Sequence, residues 1–250
     1  MLISFIIATY NAGKTLDRCL NSIVPQLSDE CELILVDGGS KDNTNEIIDS
    51  YGDQIAVHIS EPDKGIYDAW NKGVKHAKGK WVGFIGADDI LLPDAVKTWT
   101  DTIKSTPDID TYDYICAHNE YADKDGNVIQ VIGGSAVWNK MRKGMVAAHV
   151  GSLHNKHNLF ETIGGYDLQF HICADYDLLL RKRDKLKSLF VDHRIARMQT
   201  GGMSFSVAAI KEAYKIRKKN KSLNHIINLS IFAKNWLAYK TYGIRHKVKK

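Results

Sequence analysis

Proline is scarce in this 250-residue sequence, four in all, and its four cysteines (Cys19, Cys31, Cys116, Cys173) stand far apart. They form no CxxC pair and have no histidines at zinc-ligand spacing, which sets aside a disulfide framework and a zinc module. Thiols this dispersed suit buried free cysteines in a reducing cytoplasm. No apolar run approaches the roughly 18 residues that a membrane span needs. The apolar start Met1–Ala8 lacks a basic flank and a cleavage site, and is expected to be a first buried strand instead of a leader. Neither a Walker-type phosphate loop nor GxGxxG occurs, so kinase and dinucleotide-dehydrogenase readings lose their main support. Repeats, low-complexity segments and linkers are also missing.

Acidic residues are nearly absent from one stretch. From Lys211 onward twelve Lys/Arg accompany a single acid, Glu212, whereas the first 210 residues carry 22 basic and 28 acidic side chains. The formal net charge of +5 therefore hides a basic tail on an acidic body. Such a tail suits an anionic partner, a membrane surface or nucleic acid, or else a solvated helical face. No base-reading motif accompanies it, so no nucleic-acid partner is expected.

What is present begins with alternation. Short apolar runs at Ser4–Ala8, Leu33–Val36, Ile55–Ile59 and Trp81–Ile85 read as buried strands. Between them lie a helical face of Leu16, Leu20, Ile23 and Leu27, a helix around Asn43–Tyr51 stopped by Gly52, and a helix over Tyr67–Lys78 ending at Gly79. Pro93 suits the first turn of a further helix with Val96, Trp99 and Ile103 inward. Strands joined by helices argue for an α/β fold with a parallel sheet and right-handed crossovers. The second half differs. Tyr112–Tyr121 and Val128–Ile132 flank the hairpin signal Asp125-Gly126. A helix is expected over Asp175–Lys187, a strand over Leu189–Met198, and closing helices over Val207–Lys219 and Leu223–Tyr242. The resulting division is one catalytic domain, 1–205, and a basic helical extension, 206–250.

In an open parallel sheet, ligands bind at the carboxyl ends of the strands. Four polar clusters fall there: Thr9-Tyr10-Asn11, Asp37-Gly38-Gly39-Ser40, the Glu61–Gly65 turn, and Gly86-Ala87-Asp88-Asp89. Each alone is ordinary turn chemistry; four on one edge are a site. Asp88 and Asp89 repel each other unless a cation or donors compensate. A hard cation, Mn²⁺ or Mg²⁺, takes one or two carboxylates and completes its shell with phosphate oxygens and water. With no glycine phosphate loop, a diphosphate held by metal fits these residues.

The segments SFIIATYNAGKTLDRCLNSI, LILVDGGSKDNT, EPDKGIYDAWNKGVKHAKGKWVGFIGADDILLP and GGYDLQFHICADYDLLLR together resemble family 2 glycosyltransferases of the GT-A fold, over roughly residues 2–205. The resemblance is nearest to bacterial enzymes that build surface polysaccharides. It implies a mostly parallel sheet with flanking helices, and inverting transfer of a sugar from a nucleotide diphosphate, UDP in the first place. It also implies an acceptor hydroxyl on a glycan or lipid-linked glycan, and a location in the cytoplasm or at the inner face of the cell membrane. Residue by residue, it sets Thr9 and Asn11 in the uridine pocket and makes Asp37 the acceptor for uracil N3–H. It brings Lys64, Gly65 and Asn71 near the ribose and diphosphate, makes Asp88 the metal-binding aspartate with Asp89 beside it, and makes Asp175 the catalytic base. His149 matches a position near the acceptor or diphosphate, and Gly201-Gly202-Met203-Ser204 resembles a turn over the donor.

Two departures stand out. Gly86 replaces the first acid of the DxD motif, and Ala174 stands where many relatives have Glu. The choice between Asp175 and Asp177 follows from helix geometry, since residues two apart face different ways. Asp175, near the helix start, is taken as the base; Asp177 is expected to pair with a nearby cation. Trp70, Trp81 and Trp99 read as core, whereas Trp138 in a polar stretch is a candidate platform for a sugar ring. The tail is a candidate for binding a membrane surface or forming a homodimer. Two rival readings are a nucleotidyltransferase, disfavoured by the glycine-poor Thr9–Lys14 turn, and a non-catalytic sugar-nucleotide-binding protein, to which Gly86 gives some weight.

Overall fold

The computed structural model describes residues 1–123 and 125–247; residues 248–250, the end of the basic tail, lie outside the described residues. The first half alternates β1 (Ile3–Thr9), α1 (Leu16–Ile23), β2 (Cys31–Asp37), α2 (Thr44–Ser50), β3 (Val57–Ser60), α3 (Ile66–His76) and β4 (Trp81–Gly86). β2 and β4 are buried at every position and β1 at all but Ala8, which is why they read as uninterrupted apolar runs. Helix α1 buries Leu16, Cys19, Leu20 and Ile23. Each large aliphatic there contributes about 1.5–3 kcal/mol by leaving water. Leu27 packs against the same core from outside α1, because the chain passes into a short 3₁₀ segment containing Pro25 after Ile23. Helix α3 lies close on β1: a Cβ at Gly73 would come 2.4 Å from Ile6 Cγ2.

The chain continues as β5 (Ile90–Leu91), α4 (Ala95–Ser105), β6 (Tyr114–Ala122), β7 (Val128–Ile132), α5 (Trp138–Met141), β8 (Leu153–Asn155), α6 (Ala174–Arg181), β9 (Ser188–Gln199), α7 (Val207–Lys219) and α8 (His225–Lys247). The sheet order is β3-β2-β1-β4-β8-β6-β9-β5, with β7 paired to β6. β3, β2, β1 and β4 run parallel, β8 is antiparallel to β4 and β6, and β6 pairs parallel with β9. Several boundaries differ from expectation. Pro93 precedes α4 instead of opening it, because Asp94 is left-handed (φ 63°). α6 stops at Arg181, and a 3₁₀ turn with left-handed Arg183 carries the chain into β9.

Two apolar cores sandwich the sheet, one around Phe5, Leu20, Trp81 and Trp99, the other around Ile6, Trp70, Phe84 and Leu178. The three tryptophans expected in the interior are there: Trp81 and Trp99 are fully inaccessible and Trp70 nearly so. The cysteines are free, with Cys19, Cys31 and Cys116 buried and Cys173 half-buried. Helix α7 inserts Ile216 into the second core, and its buried Arg217 Nε donates to Asn228 Oδ1 on α8 at 2.6 Å.

Register positions the polar strand ends. Thr9 is level with Asp37, Asp37 with Ser60, and Ala8 with Gly86. The clusters that follow these residues therefore share one edge of the sheet.

Candidate active site

Asp37 is the hub of that edge. Its buried carboxylate accepts from Thr9 Oγ1 (3.2 Å) and the Ser40 hydroxyl at Oδ1, and from Gly39 N (3.0 Å), Ser40 N (2.9 Å), Ser60 Oγ (2.8 Å) and Asn45 Nδ2 (3.4 Å) at Oδ2. Burial pushes this carboxyl up, but the hydrogen bonds, led by those from Ser40, outweigh it and hold it below the usual carboxylate range. Six donors on two oxygens leave no free lone pair. A base N3–H therefore reaches Asp37 only by displacing one of its hydroxyl partners, and the direct contact expected from the resemblance is not open in this arrangement. Asn11 is left-handed (φ 48°) and clasps the next loop, its backbone N donating to Ser40 Oγ (2.8 Å) and its Oδ1 accepting from Lys41 N (2.9 Å).

Above this edge opens a cleft of about 450 Å³, lined by Thr9, Asn11, Asp63, Gly65, Gly86 and Asp88 among others. That size suits a nucleotide-sized ligand. Gly65 has φ 109°, a conformation costly for other residues, and donates its N–H to Asp63 Oδ1 (2.8 Å) just before α3. Lys64 is exposed beside the cleft, outside its lining. Asn71 is a correction. Its Nδ2 donates to Tyr166 O (2.9 Å) and its Oδ1 accepts from Tyr166 N (2.8 Å), so its amide is committed to holding that loop and does not line the cleft. A second cleft, of about 380 Å³, lies at Lys80, Asp110, Lys156 and Glu161, where the charges neutralise each other in pairs at 3.3 and 3.6 Å.

At the cleft wall the two adjacent carboxylates converge on Gly86. A Cβ built there would stand 2.7 Å from Asp89 Oδ2 and 3.0 Å from Asp88 Oδ1. A side chain at position 86 would displace these carboxylates, so with glycine there the space beside its Cα is faced by an oxygen from each aspartate. Asp88 is exposed, while Asp89 is buried with its Oδ2 accepting from Gly86 N at 3.2 Å. Burial first, and the Asp88 charge second, push the Asp89 carboxyl up to about 8. Two hard oxygens around one small gap, with a carboxyl that resists ionising by itself, fit a divalent cation. Among the described residues no third acidic, His or Cys side chain joins them, so phosphate and water would complete its shell. Arg18, on α1, donates to the Asp88 carbonyl (2.8 Å) and sets a positive charge beside this pair.

A second polar group forms at the start of α6. Asp175 is largely enclosed, and the Tyr67 hydroxyl lies 3.0 Å from its Oδ1 and 2.8 Å from Ile172 O. His149 Nδ1 is 4.0 Å from Asp175 Oδ2, beyond hydrogen-bond range, with its ring stacked 5.7 Å from Phe84. Burial pushes this imidazole below its ordinary value, an effect only partly opposed by Asp175, so it is neutral at pH 7. Ala174, where the resemblance leads one to expect Glu, is completely buried. Asp177 is fully inaccessible and bound by Arg181 Nε (2.9 Å), Lys219 Nζ (3.1 Å) and Asn220 Nδ2 (2.8 Å), a structural ion pair as expected. Ile66 lines the cleft and Tyr67 touches Asp175, so the first turn of α3 joins the two groups. Trp138 belongs to neither. It opens α5, packs against the second core, and has the Arg142 guanidinium 6.0 Å from its ring.

Residues that sequence reasoning missed are Arg18, Asp63, Tyr67 and Glu212. Arg18, Asp63 and Tyr67 lie inside the segments that carry the resemblance, which was the available signal. Glu212 gave none beyond its charge.

The glycosyl transferase family 2 model matches residues 4–163. A PGL/p-HBAD biosynthesis glycosyltransferase of Mycobacterium bovis is 33% identical over 193 residues, covering 72% of this chain and 69% of that protein. Among solved structures, S. aureus TarS in complex with UDP superposes with a TM-score of 0.69 at 16% identity, over 94% of this chain and 71% of that one. A mannosyltransferase of Pyrobaculum calidifontis, solved with GDP-Man and Mn²⁺, gives 0.64 at 15% identity, over 96% and 75%. At these identities the structural likeness shows the fold, which is GT-A.

Proposed function

The chain belongs to glycosyl transferase family 2 and is a glycosyltransferase, and from that premise we propose that it transfers a sugar from a UDP-sugar to an acceptor hydroxyl with inversion at the anomeric carbon. The observation that carries this reading is the joining of two groups through one turn of α3: the cleft at Thr9, Asn11, Gly65 and Asp88, and the enclosed carboxylate of Asp175. Asp175 removes the proton of the acceptor hydroxyl as its oxygen bonds to the anomeric carbon and the bond to the UDP oxygen breaks. General-base help of this kind is worth about 10²–10⁴-fold. One carboxylate on the acceptor side supports a single displacement, hence inversion. Asp88 and Asp89 would hold a divalent cation, Mn²⁺ or Mg²⁺, which supplies charge neutralisation to the leaving diphosphate. His149, neutral and nearly enclosed beside Asp175, is assigned in this reading to the acceptor side. Residues 1–205 supply the donor cleft and the base. In this reading the acceptor is a glycan or lipid-linked glycan.

Uridine is recognised in this reading at Thr9, Asn11 and Asp37, with the base displacing a hydroxyl from Asp37. An ionised Asp37 accepts from uracil N3–H, whereas cytosine presents an unprotonated N3. UDP is expected to bind at least about tenfold more tightly than CDP in calorimetric titration with Mn²⁺, a difference of about 1.4 kcal/mol. Equal affinity removes the basis for naming uridine.

Attachment to an anionic membrane surface belongs to the same reading. Among the described residues no helix is long and apolar enough to cross a membrane. On α8, Phe232 packs against Tyr214 of α7, with ring centroids 5.4 Å apart. The solvent side presents Ile226, Leu229, Trp236 and Leu237, the first 79% exposed, with Lys240 Nζ 4.7 Å from the Trp236 ring. From His225 to Thr241 the formally charged side chains are Lys234 and Lys240, both basic, and apolar residues beside basic ones suit an anionic lipid surface, where each basic residue adds about 1 kcal/mol. A second copy of the chain would bring like charge against it. Replacing Leu229, Trp236 and Leu237 together with Ser is expected to lower sedimentation with phosphatidylserine vesicles at least about tenfold. Unchanged sedimentation, or dimerisation of the wild type without vesicle binding, tells against this role.

A further inference from the structure

We propose that Glu212, the one acid of the basic tail, is a positioning residue for the base, acting from α7 through the turn that precedes Asp175. The proposal rests on the reading of Asp175 as base. Glu212 Oε1 accepts from His171 N (2.9 Å), and its Oε2 accepts from Ile172 N (2.9 Å) and Cys173 N (3.0 Å). Three successive backbone N–H groups thus converge on one carboxylate, immediately before α6. No side chain caps that helix locally, so Glu212 reaches across from another helix to satisfy donors that would otherwise be orphaned. Cys173 Sγ adds a contact to Ala209 O (3.7 Å), tying the same turn to α7 a second time.

The carbonyl of that turn matters because of the hydrogen on Tyr67. The Tyr67 hydroxyl has two oxygen neighbours, Ile172 O at 2.8 Å and Asp175 Oδ1 at 3.0 Å, and only one hydrogen to give. With Asp175 ionised, the phenol donates to the carboxylate. When Asp175 has taken the proton of the acceptor hydroxyl, its new O–H donates to the phenol oxygen and the phenol hydrogen turns to Ile172 O. Both charge states of the base are then satisfied, and Tyr67 keeps its own proton throughout. This exchange requires the Ile172 carbonyl to stay where it is; Glu212 holds the peptide unit that carries it through Cys173 N and the preceding unit through Ile172 N.

The other titratable groups facing Asp175 are His149 from the loop before β8, Tyr114 from β6, and Tyr166 and Cys173 from the segments around α6. Burial raises the two phenols and the thiol and lowers the imidazole, so all are neutral near pH 7. Tyr67 is therefore the polar partner in contact with the base, and the turn is what aligns the pair.

The test uses the full chain and follows UDP release, with Mn²⁺ present, from whichever UDP-sugar the wild type turns over fastest, water serving as acceptor. Glu212→Ala is expected to lower kcat at least about tenfold with the donor KM and UDP affinity unchanged, since small misplacements of a reacting group are costly. Tyr67→Phe, which keeps the ring, is expected to move the acid limb of the kcat/KM profile to higher pH, because a donor to the ionised carboxylate is lost. The double variant should fall short of the product of the two effects. If Glu212→Ala does not hold its fold, Glu212→Gln, which keeps one acceptor oxygen, carries the same expectation at smaller size. Wild-type kcat in the Glu212 variant, or kcat and UDP affinity falling together, overturns the proposal. Asp175→Asn separates the two readings. If that variant is active, the base assignment itself fails; if it is inactive while the Glu212 and Tyr67 variants are both unimpaired, only the positioning role fails.

Discussion

Asp175→Asn is expected to lower turnover by about 10²-fold or more, about 2.7 kcal/mol of barrier, with UDP affinity within about twofold of the wild type. The substitution preserves shape. Asn Oδ1 can still accept from Tyr67, so the start of α6 keeps its anchor while losing basicity. UDP affinity is spared because the cleft is lined by residues of β1, β4 and the turn before α3, not by α6. Single-turnover kinetics beside a UDP titration distinguishes the outcomes. A collapse of UDP affinity would assign Asp175 to the nucleotide site and remove the base from the mechanism.

Asp88→Ala is expected to abolish the enhancement of UDP affinity by Mn²⁺ and to cost at least about 10²-fold in turnover, without unfolding the protein. The fold should survive because the Asp88 side chain is exposed and its structural contact is made by its carbonyl, which accepts from Arg18 and is kept in alanine. Losing the neighbouring charge also removes the second cause of the raised Asp89 carboxyl, leaving burial alone. UDP titrations with and without Mn²⁺, on the variant and the wild type, check this. Mn²⁺ that still tightens UDP binding to the variant would show that Asp88 does not hold it.

Much of the α/β half was legible because its strands are buried on both faces and its helices present one clear apolar stripe, as α1 and α3 do. β5 and β8, of two and three residues, are too short to carry a period, and the π-helical turn at Lys156–Glu161 has no sequence signature. The site divides in the same way. Asp175 and Asp177 could be told apart because helix geometry sends neighbours two apart to different faces. Asn71 could not be assigned correctly, since its partner Tyr166 lies 95 residues away and is brought to it only by packing. Asp37 illustrates a related limit: its position at the end of β2 was readable, but the donors that fill its lone pairs come from three separate segments. Tyr67 and Glu212 act through contacts spanning 108 and about 40 residues, and only the folded chain reveals them. On α8 the apolar residues surround the helix, so no pattern could say which side packs on α7.

The most direct measurement is release of the nucleoside diphosphate from a panel of UDP-, GDP-, CDP- and dTDP-sugars by the wild-type chain, with Mn²⁺ and with excess EDTA. Release from at least one UDP-sugar that stops when EDTA is added is the expected result. Release from no UDP-sugar, or release that EDTA leaves unchanged, would contradict the account.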